Sequence, residues 1–195
     1  AALEKAVQGK TIAQVALRRK DLRTAFPAGF AKILENSTIL AVKRRAKYLL
    51  FYLNSGRAMI VHLGMTGRFL SYGSAPPALG KHDHVAFAFT DGSSLVFNDA
   101  RRFGLMTLAE TKALEQHPLL AHLGPEPLEK AFSAAYVEKW LKGKKTAIKK
   151  VIMDQRFVVG VGNIYASEAL YLAGISPLVQ ADKAAIQAKA LVQAI

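Results

Sequence analysis

The sequence predicts an α+β protein of two domains, a β-rich part followed by an all-helical part, and three observations carry that expectation. Residues 11–108 alternate β-branched and aromatic residues with polar ones and are broken by turn residues at short intervals. A stretch containing His117-Pro118, Gly124-Pro125 and Glu126-Pro127 resists both helix and strand. Beyond it the apolar spacing turns helical. The expected division is residues 1–125 and 126–195.

Taken in order, residues 1–8 read as the tail of an amphipathic helix, with Leu3 and Val7 four apart and Gly9 placed to stop it. Turns are expected at Asn54-Ser55-Gly56, at residues 73–77 and at Asp91-Gly92. The clearest hairpin is Thr90-Asp91-Gly92-Ser93 between the apolar runs 85–89 and 95–97. Several short strands at this spacing indicate an antiparallel sandwich or a barrel. In the second part, residues 133–141, 145–153, 163–173 and 183–195 have helical spacing and good helix formers.

Composition narrows the function. Apolar residues make up 51% of the 195, enough to bury a real core. Lysine and arginine number 27 against 14 acids, a formal charge of +13. A polyanion is the natural partner of such a chain. A membrane surface is the competing explanation, but no apolar run approaches the roughly 18 residues that span a bilayer, and the run at residues 48–53 is strand-sized. There is no cysteine, which excludes disulfides and thiolate metal sites from these residues. With no secretory segment at its start, an intracellular protein is expected. Both parts are cationic, and basic residues interleave with apolar ones, as in Val42-Lys43-Arg44-Arg45-Ala46-Lys47-Tyr48. Folded surface that meets phosphates has this texture.

Two motifs carry chemistry. Asn98-Asp99-Ala100-Arg101-Arg102-Phe103-Gly104 sets two guanidinium groups beside an aromatic ring at the end of a strand. A cation there can hold a phosphate or fill the space of a displaced base, and a flat ring can wedge between base pairs. The alternative is an arginine pair on a solvated hairpin with a core phenylalanine behind it. The second motif, Gly160-Val161-Gly162-Asn163, leads straight into a helix whose first amides could hold a phosphate. Lys144, Lys145, Lys149 and Lys150 precede it. The alternative here is a plain helix-turn-helix corner with an asparagine cap.

These motifs occur in one order with Arg44-Arg45-Ala46-Lys47-Tyr48-Leu49-Leu50, His62-Leu63-Gly64-Met65-Thr66-Gly67-Arg68, Lys81-His82-Asp83-His84-Val85, and His122-Leu123-Gly124-Pro125-Glu126-Pro127-Leu128. In them the chain resembles bacterial formamidopyrimidine-DNA glycosylase, the 8-oxoguanine glycosylase and AP lyase of base-excision repair. Endonuclease VIII enzymes share the architecture and are the nearer alternative. The resemblance implies an antiparallel β-sandwich, then a helix-two-turn-helix domain, with a DNA groove between them. It implies a bacterial, cytoplasmic, nucleoid-associated monomer. Its partner would be double-stranded DNA holding an oxidised purine or an abasic site, with no membrane partner.

By the same resemblance, Met65 and Arg101 fill the gap left by an everted nucleotide and Phe103 buckles the adjacent pair. His62, His82, Lys144 and Asn163 contact phosphates, Lys47 lies close to the damaged nucleotide as the catalytic-site lysine, and Lys149 sits near the DNA. Against this stand ordinary roles. His62 and His82 could be strand histidines satisfied by neighbours, Met65 core filling, and Lys144 and Lys149 a solvated helix face. Glu168 is expected to be a buried hydrogen-bond acceptor rather than a catalytic acid.

The sequence departs from the family pattern at both ends. The family's nucleophile is the amine of an N-terminal proline followed by glutamate, whereas this sequence opens Ala1-Ala2-Leu3-Glu4-Lys5. Matching Gly9-Lys10-Thr11-Ile12 suggests that roughly ten residues precede it in the family. No metal site or cofactor is expected in these residues, the family's four-cysteine zinc finger falling beyond Ile195. The expectation is an enzyme over the full family length, with this stretch alone binding DNA without cutting it. A non-catalytic DNA-binding module and an RNA- or ribosome-associated protein are the other readings.

Overall fold

A computed structural model describes residues 2–74 and 78–195. Ala1, at the head of the expected first helix, and residues 75–77 of the expected turn lie outside the described residues. The chain forms two compact units, Ala1–His117 and Pro118–Ile195. The division falls ahead of the expected boundary after Pro125. Residues 124 and 125 hydrogen-bond within the helical unit: Gly124 N–H donates to the Gln155 carbonyl at 2.8 Å, and Val159 N–H to the Pro125 carbonyl at 3.1 Å.

The first unit is a sandwich of two four-stranded antiparallel sheets. One, in the order β1-β6-β7-β5, comprises β1 (Ile12–Leu17), β6 (Asp83–Phe89), β7 (Ser94–Asn98) and β5 (Arg68–Tyr72). The other, β2-β3-β4-β8, comprises β2 (Ile39–Arg45), β3 (Tyr48–Leu53), β4 (Arg57–His62) and β8 (Leu105–Glu110). Alternation does the sorting. Along β6, Val85, Phe87 and Phe89 are buried while Ala86 and Ala88 are not, and they join Phe51, Met59 and Val61 of the other sheet in one core. Helix α1 (Ala2–Val7) adds Val7 to that core, and α2 (Phe30–Leu34), which the sequence texture did not indicate, adds Phe30 and Leu34. A 3-10 turn, Thr111–Gln116, follows β8.

The second unit is helical, with α3 (Ala134–Leu141), α4 (Ile148–Ile152), α5 (Asn163–Leu172), α6 (Ala181–Ala184) and α7 (Ala188–Ala194). Helix α4 is shorter than its apolar spacing suggests, because Ala147 is extended and bridges to Gln180. The expected last helix is broken by a 3-10 turn, Ala185–Gln187. The core gathers Val137, Leu141, Ile148, Ile152, Phe157, Val158 and Leu170. Tyr136 stacks on Phe157 at 5.8 Å between ring centroids, and its hydroxyl donates to the Phe157 carbonyl at 2.7 Å.

Candidate functional site

In the sandwich unit three loops converge on one buried residue, Asp99. Asp99 follows β7 and is 0% exposed. Its Oδ1 accepts from the Thr66 hydroxyl and its Oδ2 from Gly104 N–H at 2.8 Å. Its backbone N–H donates to the His82 carbonyl at 2.9 Å, and its own carbonyl lies 2.8 Å from Nε2 of buried His84. Thr66 Oγ1 in turn accepts from Arg101 N–H at 3.1 Å. The side chain of Asp99 thus ties the turn after β4 to the turn after β7, and its backbone N–H holds the turn before β6. Each polar atom of this buried group is matched, which a buried carboxylate requires.

Glycine lets two of these turns touch. Gly64 has φ +66°, and a Cβ there would lie 2.5 Å from the Phe103 carbonyl carbon. Gly104 lies so close to Phe97 that a Cβ would come within 2.7 Å of the ring. Arg102 takes the left-handed backbone region at φ 58°, uncommon for a residue with a side chain. That twist accompanies the exposure of Arg101, Arg102 and Phe103. Met65 is 71% and Phe103 44% exposed, so neither is core filling. The Arg101 guanidinium lies over the Phe103 ring, 4.6 Å from its centroid.

Lys47 stands exposed at the tip of the two-residue β2–β3 hairpin, where Arg45 pairs with Tyr48 and Ala46 takes φ 54°. Beside it a recess of about 320 Å³ is lined by Lys47, Tyr48, His62 and Gly64 among others. Nδ1 of His62 accepts from Gly64 N–H at 2.9 Å, which in the neutral ring leaves the proton on Nε2, free to be given to an anion. Burial first, then the charges of Arg23 and Lys47, push the His62 imidazole below its ordinary value, so the neutral ring is favoured at neutral pH. His82 is exposed in a turn braced by Asp83, whose Oδ2 accepts from Gly80 N–H at 2.7 Å. Lys47, Met65, His82, Arg101 and Phe103 therefore stand on loops of one unit and His62 at the end of its strand β4, and the Asp99 network unites the loops of four of them.

The helical unit builds its own basic turn. Gly162 caps α5, and Asn163 is its exposed first residue. Lys149 Nζ donates to Ser167 Oγ at 2.9 Å, and that hydroxyl donates to the Asn163 carbonyl at 3.0 Å. Lys144 Nζ lies 5.2 Å from the Trp140 ring centroid. The hydrogen bonds of Arg156 hold the Asp154 carboxyl below the usual carboxylate range, and the charge of Lys144 adds to the effect. Gln155, which sequence reasoning passed over, braces this turn. Its Oε1 accepts from Gly160 N–H at 2.9 Å and its Nε2 donates to the Val161 carbonyl at 3.1 Å. Glu168 is exposed on α5, not buried as expected, because it falls on the face away from Ala166, Ala169 and Leu170. Among the described residues no group of three or more histidine, aspartate or glutamate side chains could hold a metal ion, and no helix is long and apolar enough to cross a membrane.

An antiparallel sandwich carrying these loops, combined with a helix-two-turn-helix unit, defines a class of α+β protein. Within that class the chain belongs to the formamidopyrimidine-DNA glycosylase family. The profile of that family's N-terminal domain matches residues 1–106, and its H2TH domain profile matches residues 123–195. The formamidopyrimidine-DNA glycosylase of Dinoroseobacter shibae is 50% identical over 189 residues, covering 93% of this chain and 66% of the relative. That of Jannaschia sp. is 46% identical, covering 97% and 70%. The chain thus spans about two thirds of the length of these curated relatives. Among solved structures, the Lactococcus lactis enzyme bound non-covalently to AP-site DNA matches with a TM-score of 0.91 at 29% identity, over 99% of this chain and 74% of that one. The Thermus thermophilus MutM protein matches with a TM-score of 0.84 at 36% identity, over 99% and 68%.

Proposed function

We propose that this protein acts in base-excision DNA repair, engaging duplex DNA at an oxidised purine or abasic site and everting the damaged nucleotide. Over the full length of its relatives it would be a bifunctional glycosylase and AP lyase, working as a monomer in the bacterial cytoplasm at the nucleoid. The observation that carries this reading is the exposed trio of Met65, Arg101 and Phe103 on turns locked by Asp99. Phe103 would enter the stack as a wedge, Arg101 would occupy the vacated place, and the thioether of Met65 would follow an irregular void. Extrusion costs a few kcal/mol, least where the base is damaged or missing, so a wedge of this kind discriminates by the ease of opening.

His62 and His82 would hold phosphates from the sandwich, and Lys144 and Asn163 from the helical unit, with Lys149 near the DNA. The first amides of α5 add donors aimed at an anion. Lys47 would orient the sugar and stabilise charge there as the reaction proceeds. With no cysteine, this chain supplies no zinc-finger thiolate.

The test is binding to duplexes that carry a tetrahydrofuran abasic analogue or an intact pair. Lesion preference in the chain, reduced in Arg101→Ala and Phe103→Ala, is the expected result. Equal affinity for both duplexes, or tighter binding to an RNA competitor, would overturn the reading.

A further inference from the structure

The basic run Arg18-Arg19-Lys20-Asp21-Leu22-Arg23 takes no part in the interface described above, yet it reaches it. Two of its arginines already have partners. Arg18 Nη1 donates to the carbonyls of Gly80 and, at 3.2 Å, Asp83. Arg19 pairs with Asp21 at 3.5 Å. Arg23 differs. Its loop is closed by the Asp21–Ala25 bridge and anchored by buried Leu22, so the backbone position is fixed. Its N–H donates to the Gly104 carbonyl at 2.9 Å, sewing it to the turn that abuts Gly64. The guanidinium is exposed and has no acid or carbonyl partner among the described residues.

Burial raises the Tyr48 hydroxyl and lowers the His62 imidazole, and in both the nearby Arg23 charge acts as a secondary influence toward the deprotonated form, with Lys47 adding to it at His62. Lys47, Tyr48 and His62 line one recess with no carboxylate among its lining residues, and the Arg23 loop is bonded beside it through Gly104, which abuts Gly64 of that lining. Crowding of like charge is unfavourable in the free protein, and an anion relieves it. A guanidinium fork, an imidazole Nε2–H and an ammonium together match the oxygens of a phosphodiester.

We propose that Arg23 is a DNA-phosphate ligand, forming with His62 and Lys47 a cradle for one backbone phosphodiester at the mouth of this recess. This rests on the DNA-repair reading and deepens it. The cradle places a fixed anion-binding point beside the wedge turn, so gripping the strand and opening the stack are tied to the same short stretch of backbone.

The experiment titrates the chain with abasic-analogue duplex by fluorescence anisotropy, from about 50 to about 200 mM salt. The variants are Arg23→Ala and Arg23→Lys, with Arg19→Ala as a control. Arg23→Ala should weaken binding about tenfold at the lowest salt and reduce the slope of log affinity against log salt by about one. Arg23→Lys should keep the slope, and Arg19→Ala should leave it unchanged. In the free proteins, NMR titration should find the His62 midpoint raised in Arg23→Ala, which a merely structural role of Arg23 would not produce. If the chain binds duplex but Arg23→Ala keeps the parental slope, the cradle is wrong and the repair reading stands. If the unaltered chain shows no salt-dependent duplex binding, the repair reading itself fails.

Discussion

Replacing Gly64 by alanine tests whether the contact between the Met65 turn and the Phe103 turn is what presents the wedge. Two costs are expected. The left-handed backbone at φ +66° penalises any side chain by about 1–2 kcal/mol. The new methyl would also meet the Phe103 carbonyl carbon at 2.5 Å, its oxygen at 2.6 Å and Gly104 N at 2.7 Å, all of them backbone atoms that no rotamer change can move aside. Forcing such a gap open costs about 1–3 kcal/mol more. Gly92→Ala isolates the first cost, since Gly92 has φ +82° and nothing within 4 Å of its ideal Cβ. For a chain of 195 residues each kcal/mol lowers the melting temperature by roughly 2–4 °C. By calorimetry Gly64→Ala should therefore melt about 2–12 °C below Gly92→Ala, and it alone should lose preference for abasic duplex. Equal melting temperatures, or full lesion preference in Gly64→Ala, would refute the claim that this contact sets the wedge.

Further outcomes are expected. Arg101→Ala and Phe103→Ala should reduce binding to damaged duplex more than to intact duplex, whereas Lys144→Ala should weaken both alike in competition assays. The His62 imidazole lies below its ordinary value in the folded protein, so the stability linked to it is complete above the unfolded value near 6.5 and is lost as the pH falls below that. Melting followed from pH 8 to pH 5 should show this loss, and His62→Gln should flatten it. Gln155→Ala leaves Gly160 N–H and the Val161 carbonyl without their partner and should cost about 1–3 kcal/mol by urea denaturation. Tyr136→Phe removes the bond to the Phe157 carbonyl and should cost about 1 kcal/mol in the same measurement.

Much of this was legible in the sequence because local chemistry and final structure agree. The Asp91-Gly92 hairpin lies where its turn residues place it, between β6 and β7. Met65, Arg101 and Phe103 are exposed, on turns shaped by two closely packed glycines and a left-handed arginine. Where periodicity failed, long-range bonds intervened. The Ala147–Gln180 bridge shortens α4, and α2 forms as one short turn that buries Phe30 and Leu34 within a strand-like stretch. Asp99, Thr66 and Gln155 escaped notice as organisers because their partners lie 5, 33, 35 and 6 positions away, without periodicity. Nothing local in its run marks Arg23 either, and the Gly104 bond is what locates it.

The carboxylate of Asp99 has one more consequence. Because it fastens these turns in the free protein, the protein side of the proposed encounter with a duplex would have little left to rearrange, and deformation would fall on the DNA. A stiff probe ranks sites by compliance. Pyrimidine–purine steps, which unstack readily, should therefore report the same lesion more strongly than stiff adenine tracts do, so that flanking sequence is sensed through mechanical softness at positions no side chain touches.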